Sequence, residues 1–316
     1  GPAGPGPGRT QAPRYTRADM PAVAALPLAL VPVLAGIAIT PEPILVQLGP
    51  LPLYWYGISY AVGLAVSYLV VTRRARRVGL DPRLVDNGII VVAVAALIGG
   101  RLYHVIDQWQ LYAGDPVRII LPPYTGLGVY GGILTGLLAV IWYTRRHRQP
   151  FWRWADVVAP GLFVMQAIGR WGNFFNQELY GPPTDLPWGI AIDCEHRVPA
   201  WDCASYPLES TFFQPLFLYE SLSGIAGAVT LLWLGRRYRD RLRPGDLSLI
   251  FFIWYATVRL LLEPLRTGNW TFFGIPVAML VSGSVIVAAA AILAWRHRAG
   301  ATGSAAGVDA TPADPA

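Results

Sequence analysis

Residues 88–106 read GIIVVAVAALIGGRLYHVI, an almost uninterrupted apolar run that decides the fold class. As an α-helix, a run of this length crosses the ~30 Å hydrocarbon core of a bilayer. Six similar runs lie near residues 53–72, 124–144, 154–170, 215–235, 247–265 and 272–295. The sequence therefore predicts an all-α integral membrane protein with seven transmembrane helices.

The composition supports a membrane protein and excludes two other classes. Of the 316 residues, 54% are hydrophobic and only 14% are charged, with a mean hydropathy of +0.42. A soluble domain has roughly 25% charged residues, and disordered chains are less apolar still. An ordinary soluble enzyme and a disordered chain are thus both excluded.

The two ends of the chain differ from the predicted membrane domain at residues 41–298. Residues 1–19 and 299–316 are rich in Gly, Ala and Pro, which predicts disordered tails or, for the first, residues left from cloning. Residues 20–40 are apolar but interrupted by prolines. This segment is interpreted as an eighth span, an interfacial segment or a signal-like region, and the sequence leaves all three open.

The distribution of arginine predicts how the helices are oriented. Every one of the 25 basic residues is Arg, and 16 of them fall on alternating loops or after the last span. These are Arg73, Arg74, Arg76, Arg77, Arg83, Arg145, Arg146, Arg148, Arg153, Arg236, Arg237, Arg239, Arg241, Arg243, Arg296 and Arg298. The opposite loops carry only Arg118 and Arg197. Because cytoplasmic loops carry the positive excess, we expect a cytoplasmic C-terminus and a small extracytoplasmic head at residues 171–214.

Polar residues inside or at the ends of the apolar runs indicate a functional layer. An ionised group in hydrocarbon is costly unless it is paired or hydrated, so such residues invite a functional interpretation. With the predicted orientation, they all fall in the outer half of the membrane. They are Tyr56, Arg101, Tyr130, Arg170, Arg259 and Arg266.

Residues 259–266, RLLLEPLR, space Arg259, Glu263 and Arg266 at i, i+4 and i+7, which places them on one face of a helix. Two guanidiniums around a carboxylate suit a phosphate, which Arg binds in bidentate fashion. A structural ion pair between neighbouring helices is the alternative.

Residues 169–181, GRWGNFFNQELYG, gather Arg170, Asn173, Asn176 and Glu178 among glycines and aromatics. The amides and the carboxylate supply hydrogen-bond donors and acceptors at the membrane boundary. By composition alone, an interfacial turn explains this segment as well as an active site does.

The same segment resembles the most distinctive motif of the prolipoprotein diacylglyceryl transferase family, GRxGNFxNxExxG, and the resemblance extends over about residues 40–296. Further similarities follow in the family's order. They involve Tyr54, Trp55, Tyr56 and Gly57, then Gly99, Gly100 and Arg101, then Gln214, Pro215, Leu218, Tyr219 and Glu220, and finally the RxxxExxR pattern of Arg259, Glu263 and Arg266.

One departure concerns the catalytic base. Many family members carry a His before the double glycine of the third span, where this chain has Tyr130. Tyrosine is a poor base near neutral pH, because its reference pKa is about 10. His104 follows Arg101 by three residues on the same helical face and is the compensating candidate, or else a His at the membrane interface.

The resemblance implies a transferase of the bacterial cytoplasmic membrane that moves the diacylglyceryl group of phosphatidylglycerol to the lipobox Cys thiol of a preprolipoprotein signal peptide. The products are a thioether and glycerol 1-phosphate, and the active site faces the outer leaflet. The expected partners are these two substrates and membrane lipid, without a cofactor, metal or nucleic acid.

The resemblance also suggests roles for individual residues. The phosphate is expected to be bound by Arg259, Arg170 and Arg266, and Glu263 is expected to orient their guanidiniums. The candidate bases are His104, Tyr56 and Tyr130, or a phosphate oxygen of the substrate. The remaining motif residues are expected to bind substrate, and Asn173 and Glu178 either position the headgroup or tie the outer turn to the bundle. These substrate-binding residues are Arg101, Asn173, Asn176, Glu178, Gly181, Tyr219 and Glu220.

The only cysteines, Cys194 and Cys203, lie in the head, where their spacing and an extracytoplasmic setting favour a structural disulfide over two free thiols.

For function, the alternatives are a transporter with an outer-leaflet anion site and a lipid-binding protein. The chain shows no internal repeat of the kind that many transporters have.

Overall fold

A computed structural model describes residues 36–49, 51–119 and 126–305. Most of the apolar segment at residues 20–40 and the predicted tail at residues 1–19 lie outside these ranges, as do residues 306–316 of the C-terminal tail. Within the described ranges, the chain forms seven long helices of 17 to 29 residues. They are α1 (Trp55–Arg77), α2 (Arg83–Asp107), α3 (Val129–Arg146), α4 (Phe151–Phe175), α5 (Leu216–Arg237), α6 (Asp246–Leu262) and α7 (Val277–Ala305).

Five of the described helices are long and apolar enough to cross a membrane: α1, α2, α5, α6 with its following turn, and α7. The other two have polar residues that lower their hydropathy. Helix α3 ends in two arginines, and α4 contains Arg153, Asp156 and Arg170 along with an internal Pro160. The chain is thus a mostly helical membrane protein. Its two less apolar helices are α3 and α4.

Helix α4 is central because it packs against α1, α5 and α6. Helix α7 packs against α6, and α2 pairs mainly with α3. Small residues allow these close approaches. A Cβ on Gly63 of α1 would lie 3.1 Å from the carbonyl oxygen of Met165 in α4. The buried core between α4, α5 and α6 contains Phe163, Leu231 and Leu247. Helices α2 and α3 therefore form a hairpin beside this bundle.

We expect Gly224→Val to destabilise the contact between α4 and α5. A Cβ at Gly224 would lie 3.0 Å from the Phe163 carbonyl oxygen and 3.1 Å from Ala167 Cβ. Overpacking of this kind costs about 1–3 kcal/mol. Thermal unfolding in detergent should show the loss, whereas Gly283→Val in α7 should not, because a Cβ there meets no atom within 4 Å. Equal melting temperatures for both variants would contradict this packing.

Two short antiparallel β-hairpins were not predicted from the sequence. Strand β1 (Ile44–Leu48) pairs with β2 (Leu51–Tyr54), which leads directly into α1. Strand β3 (Thr271–Phe272) pairs with β4 (Ile275–Pro276), just before α7. The positive φ of Gly49 and Gly274 fits their places in the two turns. Both hairpins overlap the edges of predicted spans, so α1 and α7 begin later than the apolar runs do.

Residues 176–215 join α4 to α5 and form a small folded segment, the head. Its buried apolar core contains Tyr180, Ile190, Ile192 and Phe213. The core continues into the bundle through Phe217 at the start of α5. The head therefore packs on the end of the bundle where α4 ends and α5 begins. This is the head end of the bundle.

Candidate active site

Glu220 is the centre of a buried ion-pair network at the head end. It lies in the first turns of α5, and only 3% of its surface is exposed. Its two carboxylate oxygens each lie 2.5 Å from a guanidinium nitrogen, one from Arg170 of α4 and the other from Arg266. A single carboxylate thus joins α4 to the segment that follows α6.

Arg259 and Glu263 form a second ion pair beside the first. The Arg259 Nη2 and Glu263 Oε2 atoms lie 2.8 Å apart, and Glu263 is only 1% exposed. Arg259 is also close enough to Glu220 to be attracted by its charge, and close enough to Arg266 to be repelled by the like charge. The two pairs therefore form one cluster, the arginine cluster, which consists of Arg170, Glu220, Arg259, Glu263 and Arg266.

The prediction that Arg266 shares one helix face with Arg259 and Glu263 is wrong. Helix α6 ends at Leu262, a single 3₁₀ turn follows, and Arg266 has an extended backbone. Pro264 explains this ending, because its nitrogen has no hydrogen to continue the helical hydrogen bonds. As a result, Arg266 reaches Glu220 of α5 and does not pair with Glu263.

The charges of the arginine cluster do not cancel. Three guanidiniums face two buried carboxylates, so the cluster carries one net positive charge. Several buried guanidinium nitrogens also lack a hydrogen-bond partner within the described residues: Arg170 Nε, Arg259 Nη1 and Arg266 Nε. Buried donors without partners are costly. The cluster is therefore suited to a singly charged anion with several oxygen acceptors.

The turn after α4 connects the cluster to the head. Arg170 Nη1 donates to Asn173 Oδ1 at 3.4 Å, and Asn173 Nδ2 donates to Glu178 Oε1 at 2.7 Å. Gln177 and Leu179 have positive φ angles of 50° and 58°, which is uncommon for residues with a Cβ. Gly181 approaches the turn after α6 closely, since a Cβ there would lie 3.2 Å from the Leu265 carbonyl oxygen.

Three other predicted site residues lie in this turn or interact with it or with the head. Tyr56 of α1 interacts electrostatically with Arg170 and Glu178. The Tyr219 hydroxyl accepts a hydrogen bond from Trp188 Nε1 at 2.9 Å, which ties α5 to the head. Asn176 follows the last residue of α4, and its backbone N–H donates to the Gly172 carbonyl. The motif of residues 169–181 thus builds both one side of the cluster and its link to the head.

Arg101, His104 and Tyr130 lie instead on the α2–α3 hairpin. Arg101 donates to the backbone carbonyls of Arg118 and Ile119, at 2.7 and 3.1 Å. The His104 ring meets Tyr112 edge-on, and Tyr130 is 72% exposed. Within the described ranges, no hydrogen bond, ion pair or ring contact links His104 or Tyr130 to the arginine cluster. These residues therefore lie outside the arginine cluster, in a separate set of contacts on the hairpin.

A cavity of about 250 Å³ opens beside the cluster, between the head and the segment after α6. Arg266 belongs to both the cavity wall and the cluster. The other residues of the wall are Glu178, Leu179, Tyr180, His196, Val198, Thr267 and Asn269. The cavity thus adjoins the cluster on the side of the head.

Hydrogen bonds around Asp193 hold one wall of this cavity. Asp193 Oδ1 lies 2.7 Å from His196 Nδ1, and Asp193 Oδ2 accepts from Gln177 Nε2 at 2.6 Å. Partial burial acts to raise the pKa of Asp193, but the hydrogen bonds from His196 and Gln177 outweigh it, so this pKa lies below its usual value. The carboxylate is therefore ionised near neutral pH.

Cys194 and Cys203 form a disulfide in the head, with Cα atoms 5.7 Å apart. The bond closes a short loop that contains both His196 and Arg197. Arg197 fastens the same loop, because its Nε donates to the Ile192 carbonyl at 2.8 Å and its guanidinium lies over the Phe213 ring. The loop that presents His196 is therefore held by the disulfide and by the partly buried Arg197 side chain.

We expect the Cys194→Ser/Cys203→Ser variant to be less stable than the parent protein. Closing a loop of this length removes about 2–3 kcal/mol of chain entropy from the unfolded state. Thermal unfolding should show a lower melting temperature for the variant and for the reduced parent protein. Reductant should leave the variant unchanged, and a drop there would mean that the loss has another cause.

Sequence reasoning missed the main role of Glu220 and all of the Gln177, Asp193 and His196 contacts. Glu220 did carry a signal, because an acid inside an apolar helix requires a cationic partner. The head contacts carried none, since their residues are polar, lie in a loop and meet only through its folding. Within the described residues, no group of three or more His, Cys, Asp or Glu side chains is arranged to hold a metal ion.

Comparisons with known proteins show that the chain is similar to one family of transferases. A family model described as prolipoprotein diacylglyceryl transferase matches residues 43–295. Proteins named phosphatidylglycerol–prolipoprotein diacylglyceryl transferase are similar over most of the chain. The one from Chloroflexus aggregans is 39% identical, covering 79% of this chain and 87% of its own length. Those from Synechococcus elongatus and Symbiobacterium thermophilum are 37% and 38% identical, covering 85% and 84% of this chain and 92% and 97% of their own lengths.

Proposed function

The chain belongs to the prolipoprotein diacylglyceryl transferase family, and from this membership we propose that it transfers the diacylglyceryl group of phosphatidylglycerol to the lipobox cysteine of preprolipoproteins. The products are a thioether-linked lipid on the protein and glycerol 1-phosphate. The relatives' names supply the two substrates, and the arginine cluster supplies the chemistry.

The net positive charge of the arginine cluster is the observation that carries this proposal. The phosphodiester of phosphatidylglycerol bears one negative charge and two unbridged oxygens. Three guanidiniums with two carboxylates balance that charge. The side chains of Arg170, Arg259 and Arg266 are 21%, 23% and 21% exposed, so their guanidiniums can donate to those oxygens. A bound phosphodiester would therefore neutralise the cluster.

The same groups can stabilise the departing phosphate. As the bond between the diacylglyceryl carbon and the phosphate oxygen breaks, negative charge grows on the leaving phosphate. Guanidiniums already held by buried carboxylates need little reorganisation to stabilise that charge. In this scheme Glu220 and Glu263 position the arginines, while Asn173 and Glu178 tie Arg170, near the end of α4, to the turn that follows the helix.

The arrangement in the membrane is also part of the proposal. We place residues 41–298 in the bacterial cytoplasmic membrane as seven spans. Helices α3 and α4 cross despite their lower hydropathy, α4 because it packs among α1, α5 and α6, and α3 because it pairs with α2. The arginine excess puts the C-terminus in the cytoplasm. The head and the arginine cluster then face the outer leaflet, where phosphatidylglycerol and a translocated signal peptide can meet.

The test is to incubate the purified protein with phosphatidylglycerol micelles and a lipobox peptide. We expect the peptide to gain the mass of one diacylglyceryl group and glycerol phosphate to appear in equal amount. A serine-for-cysteine peptide is the matched control and should gain nothing. Binding of the lipid without any mass gain would favour the lipid-binding alternative, and glycerol phosphate release without peptide modification would contradict the transfer.

A further inference from the structure

We propose that His196, oriented by Asp193, is the base that takes the proton from the lipobox thiol. The inference rests on the proposed function and identifies the group that the chemistry still lacks. A cysteine thiol has a free pKa of about 8.5 and attacks as the thiolate, so a side-chain base near the arginine cluster would speed the attack beyond what a phosphate oxygen of the substrate can supply.

The geometry around His196 is that of an oriented base. Its Nδ1 atom lies 2.7 Å from the Asp193 carboxylate, which favours the tautomer that carries a proton on Nδ1. Nε2 is then the nitrogen with a free lone pair, and within the described residues nothing hydrogen-bonds to it. His196 lines the cavity and its side chain is 32% exposed, so the ring is accessible to a ligand bound there.

Surrounding contacts hold the histidine in place. Its backbone N–H donates to Asp193 Oδ1 at 3.0 Å, and its carbonyl accepts from the Tyr180 hydroxyl at 3.1 Å. The same hydroxyl accepts from the Val198 N–H at 2.7 Å. Asp193 is in turn held by Gln177, next to the turn that carries Glu178. Such second contacts are what keep a catalytic imidazole in a productive orientation.

The cavity joins this histidine to the phosphate site. Arg266 lies in the cavity wall with His196 and also pairs with Glu220 in the arginine cluster. A thiol in the cavity can therefore contact Nε2 while the phosphodiester lies on the arginines. The charged groups facing His196 here are Asp193, Glu178 and Arg266.

The other candidate bases are less well placed. Tyr130 is 72% exposed, and His104 packs against Tyr112 on the α2–α3 hairpin. Tyr56 lies near Arg170, but a phenol is a weak base at neutral pH. His196 is the one imidazole in the described ranges that lines the cavity beside the cluster.

The step balances without any further reactant. The thiol proton moves to Nε2, and the sulfur electron pair forms a bond to the terminal carbon of the diacylglyceryl group. The bond from that carbon to the phosphate oxygen breaks, and its electrons remain on the leaving glycerol phosphate. The imidazolium then returns its proton to that phosphate, which restores neutral histidine.

A selenocysteine lipobox peptide tests this role, because a selenol is largely ionised at neutral pH and needs no base. We expect His196→Gln to slow transfer to the cysteine peptide by about 10²–10⁴-fold in kcat, the usual contribution of a general base. The KM for phosphatidylglycerol should stay unchanged. With the selenocysteine peptide, the variant should run at nearly the parent rate.

Two matched variants complete the experiment. His147→Gln changes a surface histidine in the loop between α3 and α4 and should have no effect on either peptide. His104→Gln tests the competing base. An equal loss for both peptides in His196→Gln, no loss at all, or a selenol-rescued loss in His104→Gln would each overturn the assignment. Failure of the parent protein to modify either peptide would instead overturn the proposed function, and the assignment with it.

Discussion

Replacing Glu220 by glutamine is expected to abolish transfer and to destabilise the protein by about 3–5 kcal/mol, the usual cost of breaking a buried ion pair. Glutamine has nearly the same shape but no charge, so Arg170 and Arg266 would remain buried without their counter-ion. The arginine cluster would keep only Glu263 as a buried carboxylate. Thermal unfolding in detergent and the peptide-modification rate measure the two effects.

The Glu220 prediction has two controls. Glu209→Gln removes an exposed acid of the head and should change neither stability nor rate. Glu220→Asp keeps the charge on a shorter side chain and should fall between the parent protein and Glu220→Gln. If the Glu220→Gln variant had the same melting temperature as the parent protein, Glu220 would not be the buried centre that joins α4 to the segment after α6.

Much of the helical bundle could be predicted from the sequence, because apolar runs of about 20 residues are a strong signal. The runs located all seven long helices in the described ranges, although five of these meet the length and composition of a membrane span. The two β-hairpins were missed since their strands have only two to five residues and lie at the edges of apolar runs.

The site was only partly predictable, for a reason that Arg266 makes clear. Helical spacing placed it with Arg259 and Glu263, but such spacing holds only while the helix continues. Pro264 ends the helix and sends Arg266 to Glu220, a residue 46 positions earlier in the chain. Contacts between distant segments, like that of Asp193 with Gln177, depend on packing and leave no periodic signal.

Replacing Arg259 by alanine is the second change for which we expect a large effect. Loss of one preorganised donor to a developing negative charge lowers kcat by about 10²–10³-fold. Arg259→Lys should recover part of this loss, because an ammonium keeps the charge but cannot donate in the bidentate geometry of a guanidinium. Arg239→Ala, which removes an exposed arginine after α5, should leave the rate unchanged.

Arg259→Ala alone does not separate catalysis from folding, because it leaves the buried Glu263 without its partner. Adding Glu263→Gln removes that uncompensated charge, so the Arg259→Ala/Glu263→Gln variant should regain much of the lost thermal stability. The rate should not recover with it, since no group replaces the missing phosphate donor. A double variant that recovered both stability and rate would show that Arg259 serves only to neutralise Glu263, and phosphate binding would then rest on Arg170 and Arg266.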